Sequence, residues 1–250
     1  MVAALAAVCG TPVLAQSSGV TEVPLTVAGG RFVVEVMLDD GTPLEFAISN
    51  GNATTVVSEA LSHHIEQGQA LFLSGLEVPL EQFATVPTSD LMSDGHQVHG
   101  LIAANMLSDY DVLLDAPNRR MVLKPFGRSV DWPGMDMSDP VRIRVMHGVV
   151  MSFQANVEGQ SFGATLDLGT PANYVNDGLQ SKTGLDADGI GVLGLGDVSM
   201  TDMPFTVRDL PILKRWDPEG NGFVFLGAPI AYDCAISLSW IHQELRTCVR

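Results

Sequence analysis

Two stretches of the chain, ISNGNATTVVSE at residues 48–59 and LDLGTPANYVND at residues 166–177, follow the same plan. They superimpose at a constant offset of 118 residues (167 − 49 = 118), which places Asp167 over Ser49. Each stretch has a bulky apolar residue, a small polar or acidic residue, one further residue, a Gly, and then small residues leading to Val and a helix-capping Ser or Asn. This repeat predicts two similar lobes, of which only the second carries a carboxylate in the turn.

The composition limits the classes of function. The chain has 250 residues, 46% of them hydrophobic, which is enough to bury a substantial core. Its formal net charge of −16 argues against binding to nucleic acid or to anionic lipid, because both would repel this surface. No apolar stretch approaches the roughly 20 residues that a membrane-spanning helix needs. We therefore expect no nucleic-acid partner and no membrane span.

The first residues predict export. Residues 1–15 form a short apolar run that ends in a small-x-small pattern at Val13 and Ala15, which is typical of a secretory signal peptide cleaved before Gln16. The positively charged residue usual at the start of such a peptide is missing. A lipoprotein anchor through Cys9 is the alternative, although Val8 stands where a small residue is needed. The pattern favours a secreted or periplasmic protein.

Removal of that leader leaves Cys234 and Cys248, and two cysteines in an exported protein suggest one disulfide. The residues around them indicate two strands that flank Trp240, and an antiparallel hairpin centred there would place the two cysteines opposite each other. The alternative is a pair of buried free thiols.

The rest of the chain predicts mostly β structure. Short strands separated by turn residues cover 20–127, for example at 31–38 and 44–48, with one helix capped by Ser58 and ended by Gly68. A Pro- and Asp-containing stretch at 128–140 is the predicted linker. The same order of elements returns in 141–250, where a helix is expected at 176–184. We thus predict an all-β fold with an N-terminal lobe at 20–127 and a C-terminal lobe at 141–250.

This order of elements resembles the plan of retropepsin-like and pepsin-like aspartic proteases over nearly the whole mature chain. The segment 166–170, LDLGT, is similar to the catalytic turn of that family, and Gly100-Leu101-Ile102-Ala103-Ala104 followed by Tyr110-Asp111-Val112 is similar to its second signature. The second lobe echoes that signature at 224–229. The resemblance implies two acid-protease-type lobes, each a closed β barrel with one short helix, related by internal duplication within one chain. It also implies a monomer that binds peptide between its lobes.

In that family each lobe contributes one Asp, and the two carboxyl groups share a proton; this dyad is a standard example of like charges that split two pKa values. One carboxylate activates the attacking water and the other protonates the peptide carbonyl. The resemblance therefore assigns the catalytic positions to Asp167 and Ser49, and substrate-binding positions to the turn residues Asn50, Gly51, Gly169 and Thr170.

This chain departs from the family pattern at two places. Ser49 cannot act as a base near neutral or acidic pH, so the usual mechanism loses one of its two acids. The Thr or Ser that braces the two turns in the family is replaced by Asn50 in one lobe, which can still form hydrogen bonds, and by Leu168 in the other, which cannot. The expected function is therefore an exported aspartic-protease-like protein that binds extended peptide, with peptidase activity lost or weak.

Two other functions stay open at this point. One is an active aspartic endopeptidase that works through Asp167, either with an unusual Asp–Ser site or as a homodimer that brings two copies of Asp167 together. The other is a purely structural exported β protein.

No cofactor and no metal site are predicted. The Gly189-Ile190-Gly191-Val192-Leu193-Gly194 pattern follows no clear strand and opens no helix, which argues against a dinucleotide site. His63, His64, His96 and His99 lack supporting ligands at metal-binding spacing.

Overall fold

The structure is a computed structural model that describes residues 19–127, 130–146, 149–208, 210–211, 214 and 217–249. The predicted signal peptide at 1–15, with Cys9, lies outside the described residues. The protein is mostly β, as expected, and it contains a closed six-stranded β barrel.

The described residues of the first half form twelve strands and two short α-helices. They are β1 (Thr21–Ala28), β2 (Arg31–Leu38), β3 (Pro43–Ile48), β4 (Thr55–Ser58), α1 (Glu59–Glu66), β5 (Leu71–Leu73), β6 (Leu76–Glu77), β7 (Phe83–Val86), β8 (Met92–Ser93), β9 (His96–Gln97), β10 (Gly100–Ile102), α2 (Ala104–Leu107), β11 (Tyr110–Asp115) and β12 (Arg120–Pro125). A 3-10 helix at Thr88–Leu91 precedes β8.

The described residues of the second half form ten strands and one α-helix. They are β13 (Val141–Arg142), β14 (Arg144–Met146), β15 (Val150–Val157), β16 (Gln160–Leu166), β17 (Tyr174–Val175), α3 (Asp177–Thr183), β18 (Asp188–Leu195), β19 (Val198–Val207), β20 (Phe223–Leu226), β21 (Ile236–Ser239) and β22 (Glu244–Thr247). A 3-10 helix at Ala228–Ala231 follows β20.

The two predicted helices form where their capping residues indicate. The Ser58 hydroxyl accepts a hydrogen bond from the backbone N–H of Leu61, and the Asn176 side chain accepts one from Leu179. The second helix ends at Gly184, whose φ of +76° is the left-handed conformation that glycine adopts without strain. Local sequence signals therefore define both helices, as expected.

The closed barrel lies in the second half. Its six strands pair in the ring β15, β16, β20, β17, β19 and β18, and the pair β15–β18 closes the ring at Asn156↔Gly194 and Val157↔Leu193. The glycine-rich pattern at 189–194 is therefore part of a barrel strand, β18, and opens no helix. Closure leaves these six strands without a free edge along the ring.

The first half forms a sheet whose strands pair in the order β1, β2, β3, β10, β4 and β7. Strand β5 branches from β2, and β6 pairs with β5. Among the described residues, no strand pair closes this sheet into a ring. The described residues thus form one closed barrel, where the sequence predicted two.

Strands from both halves build a central sheet. Strand β11 pairs antiparallel with β21, so that Val112 faces Leu238, and β22 and β13 extend this sheet beyond β21. The predicted disulfide is present: Cys234 and Cys248 are bonded, with their Cα atoms 5.5 Å apart, and join the two ends of the β21–β22 hairpin. The halves are therefore connected by backbone hydrogen bonds as well as by the chain.

The segment predicted as a linker packs against this central sheet over its described part, residues 130–140. Val130 and Trp132 are buried against Leu113, and the Trp132 indole N–H donates to the Ser237 hydroxyl at 2.7 Å. Lys124 Nζ lies 4.8 Å from the centre of the Trp132 ring. The segment thus covers one face of the sheet and is not free in solvent.

Candidate functional site

The two repeated turns occupy equivalent places in their halves. Ser49 directly follows β3 and Asp167 directly follows β16, and each of these strands pairs in parallel with a later strand, β10 or β20. The backbone N–H of Ser49 donates to the carbonyl of Ile102, and that of Asp167 donates to the carbonyl of Leu226, both at 2.9 Å. The end of a parallel strand pair therefore fixes the position of each turn.

The two turns meet at the Asp167 side chain. Its Oδ1 accepts three hydrogen bonds: from the Ser49 hydroxyl at 2.9 Å, from the Gly169 N–H at 2.9 Å and from the Gly51 N–H at 3.2 Å. Among the described residues, Oδ2 has no hydrogen-bond partner, and the residue as a whole is half-buried. One carboxylate oxygen is thus saturated by donors while the other is available.

Ser49 is nearly inaccessible, with 1% of its surface exposed. Its hydroxyl donates to Asp167 and accepts a hydrogen bond from the Asn52 side-chain amide at 2.6 Å. The amide therefore orients the hydroxyl proton towards the carboxylate. Sequence analysis missed this role of Asn52, whose only signal was its position three residues after Ser49.

Asn50 joins the first turn to the second. Its side-chain amide donates to the Leu166 carbonyl at 2.9 Å, and its Oδ1 accepts from the Leu168 N–H at 2.8 Å. Both bonds cross between the halves, and Asn50 is fully buried. Leu168, at the matching position, is fully buried in the apolar core. Asn50 therefore braces the second turn, whereas the Leu168 side chain does not brace the first. The Asn50 side chain faces the second turn and not solvent.

Gly51 and Gly169 allow the two turns to approach this closely. A Cβ atom on Gly51 would lie 2.5 Å from Asp167 Oδ2, and one on Gly169 would lie 2.6 Å from the Ser49 Cβ. Such distances are well inside van der Waals contact. Any larger residue at either position would push the Ser49 hydroxyl and the carboxylate apart.

Thr170 contributes through its backbone. Its N–H donates to the Asp167 carbonyl at 3.0 Å, and its carbonyl accepts from Ala228 at 2.8 Å. These bonds fold the second turn over the start of the 3-10 helix that follows β20. Of the residues predicted at the site, Ser49, Asn50, Gly51, Asp167 and Gly169 come together directly, and Thr170 supports them from the turn.

Burial and hydrogen bonding act in opposite directions on the Asp167 carboxyl group. Desolvation is the larger effect and raises its pKa above the ordinary value, while the hydrogen bonds from Gly169, Ser49 and Gly51 stabilise the charged form and lower it. No charged side chain of the described residues contributes to this shift. The carboxyl group therefore titrates without the like charge that splits two pKa values in a carboxylate pair.

A second contact between the halves lies beside the turns. The Tyr232 hydroxyl donates to the Gly30 carbonyl at 2.7 Å, and its ring packs edge-on against Phe32 at 5.8 Å between centroids. Burial raises the pKa of Tyr232 to about 12. Gly30 approaches Pro171, which follows Thr170 in the second turn, so closely that a Cβ on Gly30 would lie 2.8 Å from the proline Cβ. No pattern in the sequence indicates this contact.

Within the described ranges, no group of three or more His, Cys, Asp or Glu side chains is arranged to hold a metal ion. Among the same residues, no helix combines the length and the apolar character needed to cross a bilayer.

No protein-family model matches the chain, and the curated proteins contain no significant match to it.

Proposed function

We propose that the protein is an exported, two-lobe homologue of the aspartic proteases that binds an extended peptide in the cleft between its lobes. In this proposal the lobes are 20–127 and 141–250 and arose by internal duplication. Peptidase activity is lost or weak, because Ser49 stands where the second carboxylate would be.

The strand pairings support the duplication. In the first half, β3 pairs antiparallel with β2 and parallel with β10, and β10 pairs antiparallel with β4, which pairs in parallel with β7. The second half repeats these pairings. Strand β16 pairs antiparallel with β15 and parallel with β20, and β20 pairs antiparallel with β17, which pairs in parallel with β19. Helices α1 and α3 follow the corresponding strands β4 and β17.

The hydrogen bond between Ser49 and Asp167 is the observation that carries the proposal. Two residues 118 positions apart lie side by side because each follows a parallel-paired strand in its own half. This is the geometry that a shared carboxylate pair would need, and it arises from the register that the sequence repeat predicts.

The chemistry of the pair argues against efficient hydrolysis. Peptide cleavage by this type of site needs one group that takes a proton from water and one that gives a proton to the carbonyl. Ser49 cannot be the base, and Oδ1 of Asp167 is already occupied by three donors. Since one positioned acid–base group typically contributes about 10²–10⁴ in rate, its loss is expected to reduce cleavage by that order.

Binding does not require the second acid. An extended peptide can form strand-like hydrogen bonds with backbone groups along a cleft. The formal charge of −16 favours neutral or cationic peptides over acidic ones. The leader pattern and the Cys234–Cys248 disulfide support an oxidising compartment outside the cytoplasm.

The test uses the mature chain with Asp167→Ala and Ser49→Asp variants, incubated with an unstructured protein substrate between about pH 3 and pH 7. Cleavage is followed by mass spectrometry, and binding is followed by retention of fragments on the immobilised protein. We expect retention without cleavage by the natural chain and slow cleavage at acidic pH by Ser49→Asp. Cleavage by the natural chain that disappears in Asp167→Ala would establish the active endopeptidase instead. Unchanged behaviour of all three chains, with nothing retained, would leave a purely structural protein.

A further inference from the structure

The two halves differ at one strand pair. In the second half, β19 has a pairing partner on each side, β17 on one and β18 on the other. In the first half, the corresponding strand β7 pairs with β4 on one side, and among the described residues no strand pairs with its other side. Strand β7 therefore has a free edge at the place where the barrel of the second half is closed.

The register of the strands identifies the backbone groups on this free edge. In the first half, Val57 of β4 pairs with Thr85 of β7. In the second half, Val175, which lies 118 positions after Val57 (175 − 57 = 118), pairs with Val207. The Val207 N–H donates to the Ala187 carbonyl at 2.8 Å, on the side away from β17. Thr85 is thus the counterpart of a residue whose N–H is bonded on that side.

The backbone groups of Thr85 point to the same side. The Ser58 N–H donates to the carbonyl of His99, which precedes β10, so the alternate residue Val57 directs its backbone groups towards β7. In a parallel pair these groups bond the two neighbours of the facing residue, which here are the neighbours of Thr85. The N–H and carbonyl of Thr85 therefore point away from β4, and within the described ranges no backbone group bonds them.

This edge is open to solvent. Ala84 and Thr85 follow each other in β7, so their side chains point to opposite faces of the sheet, and both residues are exposed. The chain between β6 and β7 is held elsewhere, because the Pro79 carbonyl accepts a hydrogen bond from the Asn105 side chain at 3.1 Å. An exposed edge strand of this kind is a template for one more strand.

The surroundings of the edge are acidic. From Phe32 to Asn118, a stretch of 87 residues that includes the whole of β7, the sequence has 13 Asp and Glu and no Lys or Arg. Glu77 and Glu81, which precede β7, are both exposed. Strand pairing between two copies of this chain would bring like charges together, which disfavours a second copy as the partner. A segment that carries Lys or Arg is complementary to this surface.

We propose that β7 is a docking edge for a partner protein, which adds an extended segment containing Lys or Arg as a further strand. The added strand lies beside β7 on the side where β18 lies beside β19, and its backbone bonds the N–H and carbonyl of Thr85. This interaction uses no residue of the Ser49–Asp167 site, and it does not rest on the proposed function.

The probe is a fluorescently labelled, end-blocked decapeptide with alternating Val and Thr in its central stretch and two Lys residues at each end. Its Kd for the mature chain is measured by fluorescence anisotropy. We expect binding that is weaker at about 300 mM than at about 50 mM NaCl, because salt screens the attraction between Lys and the acidic edge. The same peptide with an N-methylated central stretch keeps its charges but lacks backbone donors there, and it should bind at least about tenfold more weakly.

Thr85→Pro is the informative variant of the protein. Proline removes the N–H that points away from β4 and places its ring on the free edge, while the bonds to β4 stay. Its Kd should rise at least about tenfold. Thr85→Ala is the matched control, because it keeps the N–H, and it should bind like the natural chain.

A second pair of variants tests the charge. Glu77→Gln combined with Glu81→Gln removes two charges next to the edge and should weaken binding. Asp186→Asn combined with Asp202→Asn removes two charges from exposed positions in the second half and should have a smaller effect.

Each other outcome overturns the proposal. Equal affinity for the N-methylated peptide would mean attraction without strand pairing. A Thr85→Pro chain that melts like the natural chain and binds the probe equally well would place the probe on another surface. Equal affinity for a peptide with Glu in place of Lys, or no binding of the probe at the lower salt, would remove the basic partner. A dimer of the natural chain that Thr85→Pro abolishes would assign the edge to a second copy. All of these results leave the proposed cleft function to its own test with Asp167→Ala and Ser49→Asp.

Discussion

The turn after β3 and the turn after β16 hold matching positions in their halves, yet they contribute opposite things to the site. The first turn supplies donors and the brace, through the Ser49 hydroxyl, the Gly51 N–H and the Asn50 side chain. The second supplies the Asp167 carboxylate and the Leu166 carbonyl as acceptors, and its backbone N–H of Leu168 donates to Asn50. A symmetric pair would carry the same side chains on both sides, so the comparison teaches that neither turn can replace the other. Substitutions at matching positions should therefore have unequal effects.

The largest effect is expected from Asn50→Leu. This change leaves the Leu166 carbonyl and the Leu168 N–H buried without their partner, at a cost of about 1–3 kcal/mol each. The free energy of unfolding, measured by denaturant titration, should fall by about 2–6 kcal/mol. The same substitution at Asn221, which is exposed, should change it by less than about 0.5 kcal/mol. Equal losses at both positions would show that the brace between the turns does not stabilise the fold.

A smaller loss is expected when the close approach of the turns is blocked. Gly51→Ala and Gly169→Ala each insert a methyl group against the facing turn and should lower the free energy of unfolding by about 1–3 kcal/mol. In the peptide-binding assay both variants should also bind more weakly, because the Ser49 hydroxyl and Asp167 are pushed apart.

Gly194→Ala provides the control for this pair of substitutions. The atoms nearest to its Cβ would belong to the Asn156 side chain, the first of them at 3.1 Å, and not to either turn. We expect it to retain peptide binding. If Gly51→Ala and Gly169→Ala unfold and bind like the natural chain, the two turns are not in the contact that the Ser49–Asp167 hydrogen bond requires.

The smallest effect concerns the pH dependence of stability. Because folding raises the pKa of Asp167, this group stabilises the folded state fully below its unfolded pKa, and that contribution is lost as the pH rises through the folded pKa. As the pH rises, the free energy of unfolding of the natural chain should therefore fall relative to that of Asp167→Asn. Urea titrations of both chains from pH 3 to pH 8 measure it. If the free energy of unfolding of the natural chain instead rises relative to that of Asp167→Asn, the three hydrogen bonds to the Asp167 carboxyl group outweigh its desolvation.

Much of the local structure was predictable because it depends on neighbours in sequence. The predicted strand at 31–38 forms as β2 with the same limits, and the caps Ser58 and Asn176 start their helices. The disulfide was also predictable, since the strand patterns around Cys234 and Cys248 bring them opposite each other. The register of the sequence repeat predicted matching positions for Asp167 and Ser49, which lie side by side.

Other features depended on contacts that no local pattern encodes. Closure of the barrel requires β15 to meet β18, and it occurs in the second half alone among the described residues. The packing of Trp132, within the segment predicted as a linker, against the central sheet is a contact of this kind. The Tyr232 contact with Gly30 joins residues 202 positions apart in sequence.

By itself, the sequence determined the predominance of β structure, the helix caps, the disulfide pair and the unequal chemistry of the two turns. These features depend on residue type and on short spacings along the chain. Only the tertiary structure decided which oxygen of Asp167 is saturated, that Asn52 orients Ser49, and that Asn50 braces the second turn. These properties come from groups on different strands that are brought within about 3 Å, the range in which hydrogen bonds form. A linear sequence does not specify such distances until the chain has folded.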